Sequence, residues 1–112
     1  MDRETLQFEW GEMTKMVDAQ TGDSEELAVS HMVVRPGKSS PVHYHPNCEE
    51  AIYLIRGTLE HKIDDKVYPQ AAGSTVVVPR GAPHITTNVG NEDAEVVVAY
   101  SEASPEHKPG TP

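Results

Sequence analysis

The stretch Gly37-Lys-Ser-Ser-Pro-Val-His43-Tyr-His45-Pro-Asn-Cys-Glu-Glu50-Ala-Ile-Tyr-Leu-Ile-Arg-Gly57 decides how this chain is read. His43 and His45 lie two apart on a segment that reads as extended. Period-2 alternation then puts both imidazoles on one face and Tyr44 on the other. Glu50 opens the apolar run that ends at Gly57. Taken alone, a His-x-His pair is often surface decoration, and a nearby acid adds little in a chain with 18 Asp and Glu. A second stretch changes the weight: Gly73-Ser-Thr-Val-Val-Val-Pro79-Arg-Gly81-Ala-Pro-His84-Ile-Thr-Thr-Asn88 supplies a third imidazole at the start of another β-prone run. Three imidazoles and one carboxylate suit a first-row divalent metal. They leave two positions of an octahedron for water or substrate.

Outward from these two stretches the chain reads as short strands. Val29–Val34 is β-branched and closes at Arg35-Pro36-Gly37. Thr58–Ile63 alternates apolar and polar residues and meets Asp64-Asp65, a two-residue hairpin turn before Lys66-Val67-Tyr68. Thr75–Pro79 and Glu95–Tyr100 are again β-rich. Helical periodicity is weak. Leu6–Val17 is ambiguous, but Thr5, Phe8, Trp10, Thr14 and Val17 tilt it to strand. The expected architecture is a single all-β domain, an antiparallel sandwich or barrel. The expected divisions are an N-terminal β arm over 1–20, a barrel over 21–101 and a flexible tail over 102–112, mobile or hugging the surface. The tail expectation rests on three prolines, one glycine and the lack of any large apolar residue.

With 112 residues, one domain is the prior, and it is long enough to bury a core without staples. A formal net charge of -9 repels phosphate backbones and anionic headgroups, so neither nucleic acid nor a membrane surface is an expected partner. No apolar run approaches the ~20 residues of a membrane-spanning helix. Met1-Asp2-Arg3-Glu4 shows no charged n-region leading into an apolar stretch. The single Cys48 cannot form an internal disulfide and fits a reducing compartment. A cytoplasmic location is therefore expected.

The spacing of the two stretches resembles the cupin superfamily. Gly37, five residues, His43, one, His45, four, Glu50, six, Gly57 matches its first motif. Gly73, five residues, Pro79, one, Gly81, two, His84, three, Asn88 matches its second. Ten fixed positions in two blocks are far more specific than a lone glycine pattern. The resemblance implies an antiparallel jelly-roll β-barrel with the metal inside it. Carried over residue by residue, it implies His43, His45, Glu50 and His84 as ligands of Fe, Mn, Ni or Zn. Asn88 reads as a hydrogen-bonding or turn residue.

Other polar residues have simpler readings beside a functional one. Glu49 points away from Glu50 on a strand and reads as a solvated acid. Cys48 reads as a packed thiol rather than a ligand or nucleophile. Arg56 shares the parity of Glu50, so it is a candidate for a substrate carboxylate inside the barrel. Arg80 is a candidate at the mouth, and Tyr100 a candidate pocket acid. His31, His61 and His107 have no spaced partner and read as non-ligands.

The expected function is a metal-dependent enzyme acting on a small polar metabolite that chelates the metal. Dioxygenase chemistry and Lewis-acid isomerase or lyase chemistry both fit. The competing reading is a non-catalytic cupin that binds or senses a small ligand. A homodimer is expected, because an antiparallel barrel of this size exposes sheet edges and the arm carries Phe8, Trp10, Met13 and Met16.

Overall fold

The computed structural model describes residues 3–112. The expected arm begins with Met1 and Asp2, which lie outside the described residues, as does the start of the N-terminal segment read above for a leader. Eleven strands and no helix form among the described residues. They are β1 (Thr5–Phe8), β2 (Gly11–Val17), β3 (Ala28–Val34), β4 (His43–Tyr44), β5 (Glu50–Arg56), β6 (Thr58–Ile63), β7 (Lys66–Ala71), β8 (Thr75–Val78), β9 (His84–Asn88), β10 (Ala94–Tyr100) and β11 (Lys108–Pro109). One six-stranded sheet runs β1-β2-β3-β10-β5-β8, and a five-stranded sheet runs β11-β4-β9-β6-β7. Every pairing between these strands is antiparallel. The all-β jelly-roll expectation holds. No helix among the described residues is long and apolar enough to cross a membrane.

Alternation explains how the two sheets share one interior. Ile52 and Leu54 of β5, Leu59 and Ile63 of β6, and Val96 and Val98 of β10 are buried at every second position. Their partners between, such as Tyr53 and Ile55, face out. Gly57 turns β5 into β6 at φ 98°, and a Cβ there would lie 2.8 Å from the Cα of Ala94. Only glycine allows both the left-handed backbone and that approach. The β6–β7 hairpin turns at Asp64-Asp65 as expected, with Asp64 at φ 52°.

The apolar interior thins towards one rim. Glu50 and His84 are the first residues of β5 and β9, His43 is the first of β4, and Tyr100 is the last of β10. Strand polarity thus delivers the polar residues to one end of the barrel.

The Leu6–Val17 segment forms β1 and β2, as its β-rich residues suggest. β2 pairs with β3 of the same chain, and β1 forms the sheet edge. The segment 102–112 lies against the barrel, the surface-hugging form of the expected tail. Lys108–Pro109 pairs with β4 as β11, Asn47 Nδ2 donates to the Ser104 carbonyl at 3.0 Å, and the Glu106 amide donates to Asn47 Oδ1 at 2.9 Å. These bonds replace the apolar contacts that its composition lacks.

Candidate metal centre

His43 and His84 are cross-strand partners on β4 and β9. Their ring centroids lie 4.2 Å apart, and His45 lies 5.0 Å from His43 and 5.5 Å from His84. One nitrogen from each ring falls within 4.8 Å of the others. Glu50, outside that three-ring group, approaches two of its members from the opposite sheet. Its Oε1 is 2.9 Å from His84 Nε2, and its Oε2 is 3.8 Å from His45 Nε2. His45, Glu50 and His84 are buried and His43 is half-buried.

The outer nitrogens of the three rings have fixed roles. His43 Nδ1 contacts the Pro41 carbonyl at 2.7 Å, His84 Nδ1 the Ala82 carbonyl at 3.0 Å, and His45 Nδ1 the Glu106 carbonyl at 2.8 Å. A carbonyl only accepts, so each Nδ1 must carry the proton. In the neutral ring each Nε2 then presents a lone pair. This is the arrangement that metal-ligating imidazoles use: the far nitrogen is tied to an acceptor, which fixes tautomer and ring plane.

Nε2 of His45 and Oε1 of Glu50 are buried and have no hydrogen-bond partner in the protein. Glu50 Oε1 lies 2.9 Å from His84 Nε2, but the neutral His84 ring carries its proton on Nδ1 and has none there to donate. Leaving such atoms unpaired is costly. A cation between them resolves the cost, and an N₃O donor set suits a first-row divalent ion. The residues therefore fit the metal that the sequence implies.

Electrostatics follow from the crowding. Burial lowers the His43 pKa to about 4, with the neighbouring His84 adding to the effect. For Glu50, burial opposes ionisation, but His84, His45 and His43 outweigh it and its pKa is lowered. For His84, burial opposes protonation, but the adjacent Glu50 outweighs it and its pKa is raised.

Around the cluster opens a cavity of about 390 Å³. Tyr100, the cross-strand partner of Glu50, lines it with its ring 5.3 Å from His45. Burial and then Glu50 push the Tyr100 pKa well above 10, so its hydroxyl stays protonated.

Arg56 does not enter this cavity. Glu95 pairs with Arg56 and Val96 with Leu54, so Ile55 is an extra, bulged residue on β5 that reverses the parity of Arg56 and places it opposite Glu95 on the outer face. There its Nε donates to Glu95 Oε1 at 3.1 Å, and its side chain is 53% exposed. Glu49 is exposed as expected. Cys48 is buried, and burial raises its pKa to about 11, so it is a packed thiol.

The remaining histidines divide. His31 pairs with Glu95 Oε2 at 2.6 Å on the outer face. His61 is fully buried between Thr86 Oγ1 and Gln70 Oε1, at 2.9 and 2.6 Å. His107 is outside the three-ring group but lies against it, stacked on His43 with centroids 4.5 Å apart. Sequence spacing gave no signal for His107, because its proximity depends on the docking of the C-terminal segment. Asn88 is buried and donates to the carbonyls of Val34 and Glu92, a structural role.

Comparison with known proteins bears on this geometry. The Cupin domain family profile matches residues 30–100. The chain is 36% identical over 73 residues to the polyketide synthase protein CurC of Streptomyces cyaneus, covering 65% of this chain and 47% of that one. It is 28% identical over 95 residues to protein SchB of Streptomyces halstedii, covering 85% and 69%. The fold superimposes on the oxalate decarboxylase of Lactobacillus farciminis with a TM-score of 0.90 at 20% identity, covering 96% of this chain and 33% of that one. The chain thus spans about half the length of CurC and a third of the decarboxylase.

Proposed function

The chain belongs to the cupin family, and from that premise we propose that it is a metal-dependent enzyme of small-molecule metabolism, with His43, His45, Glu50 and His84 holding one divalent transition metal. The observation that carries this reading is the pair of buried, unpartnered atoms, His45 Nε2 and Glu50 Oε1, beside two more imidazoles of fixed tautomer. Fe, Mn, Ni and Zn all suit the donor set. When bound, such an ion supplies Lewis acidity, or oxygen chemistry if it is iron, to a substrate that chelates it through adjacent oxygens.

The chain's own residues do the rest. The carbonyls of Pro41, Ala82 and Glu106 hold the rings in place. The Tyr100 hydroxyl, kept protonated, is placed to donate a hydrogen bond to a developing negative charge on the substrate. Two reaction classes suit this equipment: a dioxygenase, and an isomerase or lyase working by carbonyl polarisation. The name of CurC supports a role on a polyketide-type metabolite. A second reading, a binding or sensing module without catalysis, gains from the outward position of Arg56, which leaves the cavity without an arginine to hold a substrate carboxylate. Oxygen uptake and product analysis on a substrate panel, with the wild type and Tyr100→Phe, separate the two. Turnover that Tyr100→Phe slows supports the enzyme, and unaltered ligand in every case supports the module.

Within this proposal the protein is a cytoplasmic homodimer. Its one thiol, buried and unpaired, suits a reducing compartment. The dimer is supported by exposed apolar side chains on the outer face of β5 and β8, Tyr53, Ile55 and Val77.

A further inference from the structure

The cavity beside the ligand cluster has a second, smaller polar patch at Lys15, Asp18 and Ser30, and a broad apolar wall between. That wall comes from the inward faces of β1, β2 and β3. Leu6, Met13 and Met32 are successive cross-strand partners in one row, and all three line the cavity. Phe8 and Trp10 stack face to face, with centroids 4.9 Å apart and planes 4° apart, and also line it. Ile52 continues the apolar wall towards Glu50. Phe8 is 40% exposed although it is aromatic and faces this space. In this region the β arm forms the wall of a cavity instead of closing a core. At about 390 Å³ the space is in the range of sites for drug-sized ligands, far larger than a two-carbon diacid requires.

We infer that the ligand of this site is amphipathic: a flat aromatic body of more than one ring, carrying two adjacent oxygen donors at one end. The oxygens face His43, His45, Glu50 and His84, and the rings lie along Leu6, Phe8, Trp10 and Met13. This rests on the metal-site reading above and names the substrate class that reading leaves open. Phe8 and Met13 are then specificity-determining residues supplied by the arm, since burying ring area against them gives affinity that chelation alone does not.

The full chain is loaded with zinc, its metal content is measured, and catechol and 2,3-dihydroxynaphthalene are titrated by calorimetry. The two probes share the same chelating head and differ by one ring. The expected result is affinity for the two-ring probe about tenfold or more above that for catechol. Phe8→Ala and Met13→Ala should each erase most of that difference, lowering affinity for the two-ring probe several-fold more than for catechol. Phe8 is exposed enough that its truncation spares the fold. Equal affinities for the two probes on zinc-loaded protein overturn the inference and leave the metal site standing. The same equality is expected if the arm of a second copy fills the cavity. Failure to retain zinc overturns the metal-site reading and the inference with it.

Discussion

His43 and His84 face each other directly across the β4–β9 ladder, with ring centroids 4.2 Å apart. Sheet register therefore sets the distance between these two imidazoles, with no loop involved. A slip of one residue in this ladder would turn His84 to the outside, because successive side chains on a strand alternate faces. Glu50 approaches from the other sheet, so the cluster forms only when both sheets pack. The site is a consequence of the barrel and is rigid for that reason.

Barrel stability should separate from metal binding at His61. This ring is fully buried, contacts Thr86 and Gln70, and lies outside the ligand group. His61→Ala leaves a void and two unpaired polar groups, so we expect a loss of about 3 kcal/mol of unfolding free energy. Denaturant melts with metal analysis of the folded fraction test this. Metal stoichiometry should be unchanged.

The C-terminal segment should act on the metal through His45. Two of the three supporting carbonyls are local to their histidines, but the third, Glu106, comes from the segment that Asn47 clamps. Asn47→Ala should weaken metal affinity about tenfold, the range for loss of an outer partner of a ligand. His107→Ala should retain the metal. Competition with a chromophoric chelator measures both; equal affinity in Asn47→Ala and wild type would deny the segment its positioning role.

Strands, turns and the four central residues were legible because each depends on local pattern. Alternation in β5, β6 and β10 is set by short-range sequence, and the His and Glu spacing carries a specific motif. Arg56 faces out because Ile55 bulges β5 just before it and reverses its parity, and the apolar run Ile52 to Ile55 carries no glycine or proline to mark a bulge. His107 and Glu106 escaped notice for a different reason. A Pro-rich segment without large apolar residues reads equally as mobile or surface-hugging, and the hydrogen bonds that hold this one, to Asn47 and β4, are contacts between distant parts of the chain. The apolar cavity wall was equally hidden, since sequence cannot tell an arm that fills a core from one that borders a cavity.

Metal affinity should fall with pH in a way that counts the competing protons. Metal binds neutral imidazole, so a proton on His84 opposes it. The His84 pKa is raised above 6.5, so this competition begins above pH 6.5 as the pH drops. The His43 pKa is about 4, so this ring adds no competition until the pH nears that value. Glu50, with its pKa lowered, stays ionised throughout. Calorimetry in buffers of different ionisation enthalpy at pH 6 should find fewer than three protons released per metal ion bound.

The proposed homodimer should depend on the outer face of β5 and β8. Tyr53, Ile55 and Val77 are 45%, 42% and 55% exposed there. Light scattering should give twice the 12.3 kDa chain mass, and Val77→Lys with Ile55→Lys should give the monomer. A wild type that is monomeric at micromolar concentration contradicts the dimer.

The central claim is that His43, His45, Glu50 and His84 hold one divalent metal, and elemental analysis of the protein purified without added metal tests it most directly. The expected result is close to one transition-metal ion per chain in the wild type. His43→Ala and His84→Ala should each retain several-fold less while keeping the β-sheet circular dichroism of the parent. Metal content that is unchanged in both variants, or a folded wild type that takes up no transition metal when it is supplied, would contradict the claim.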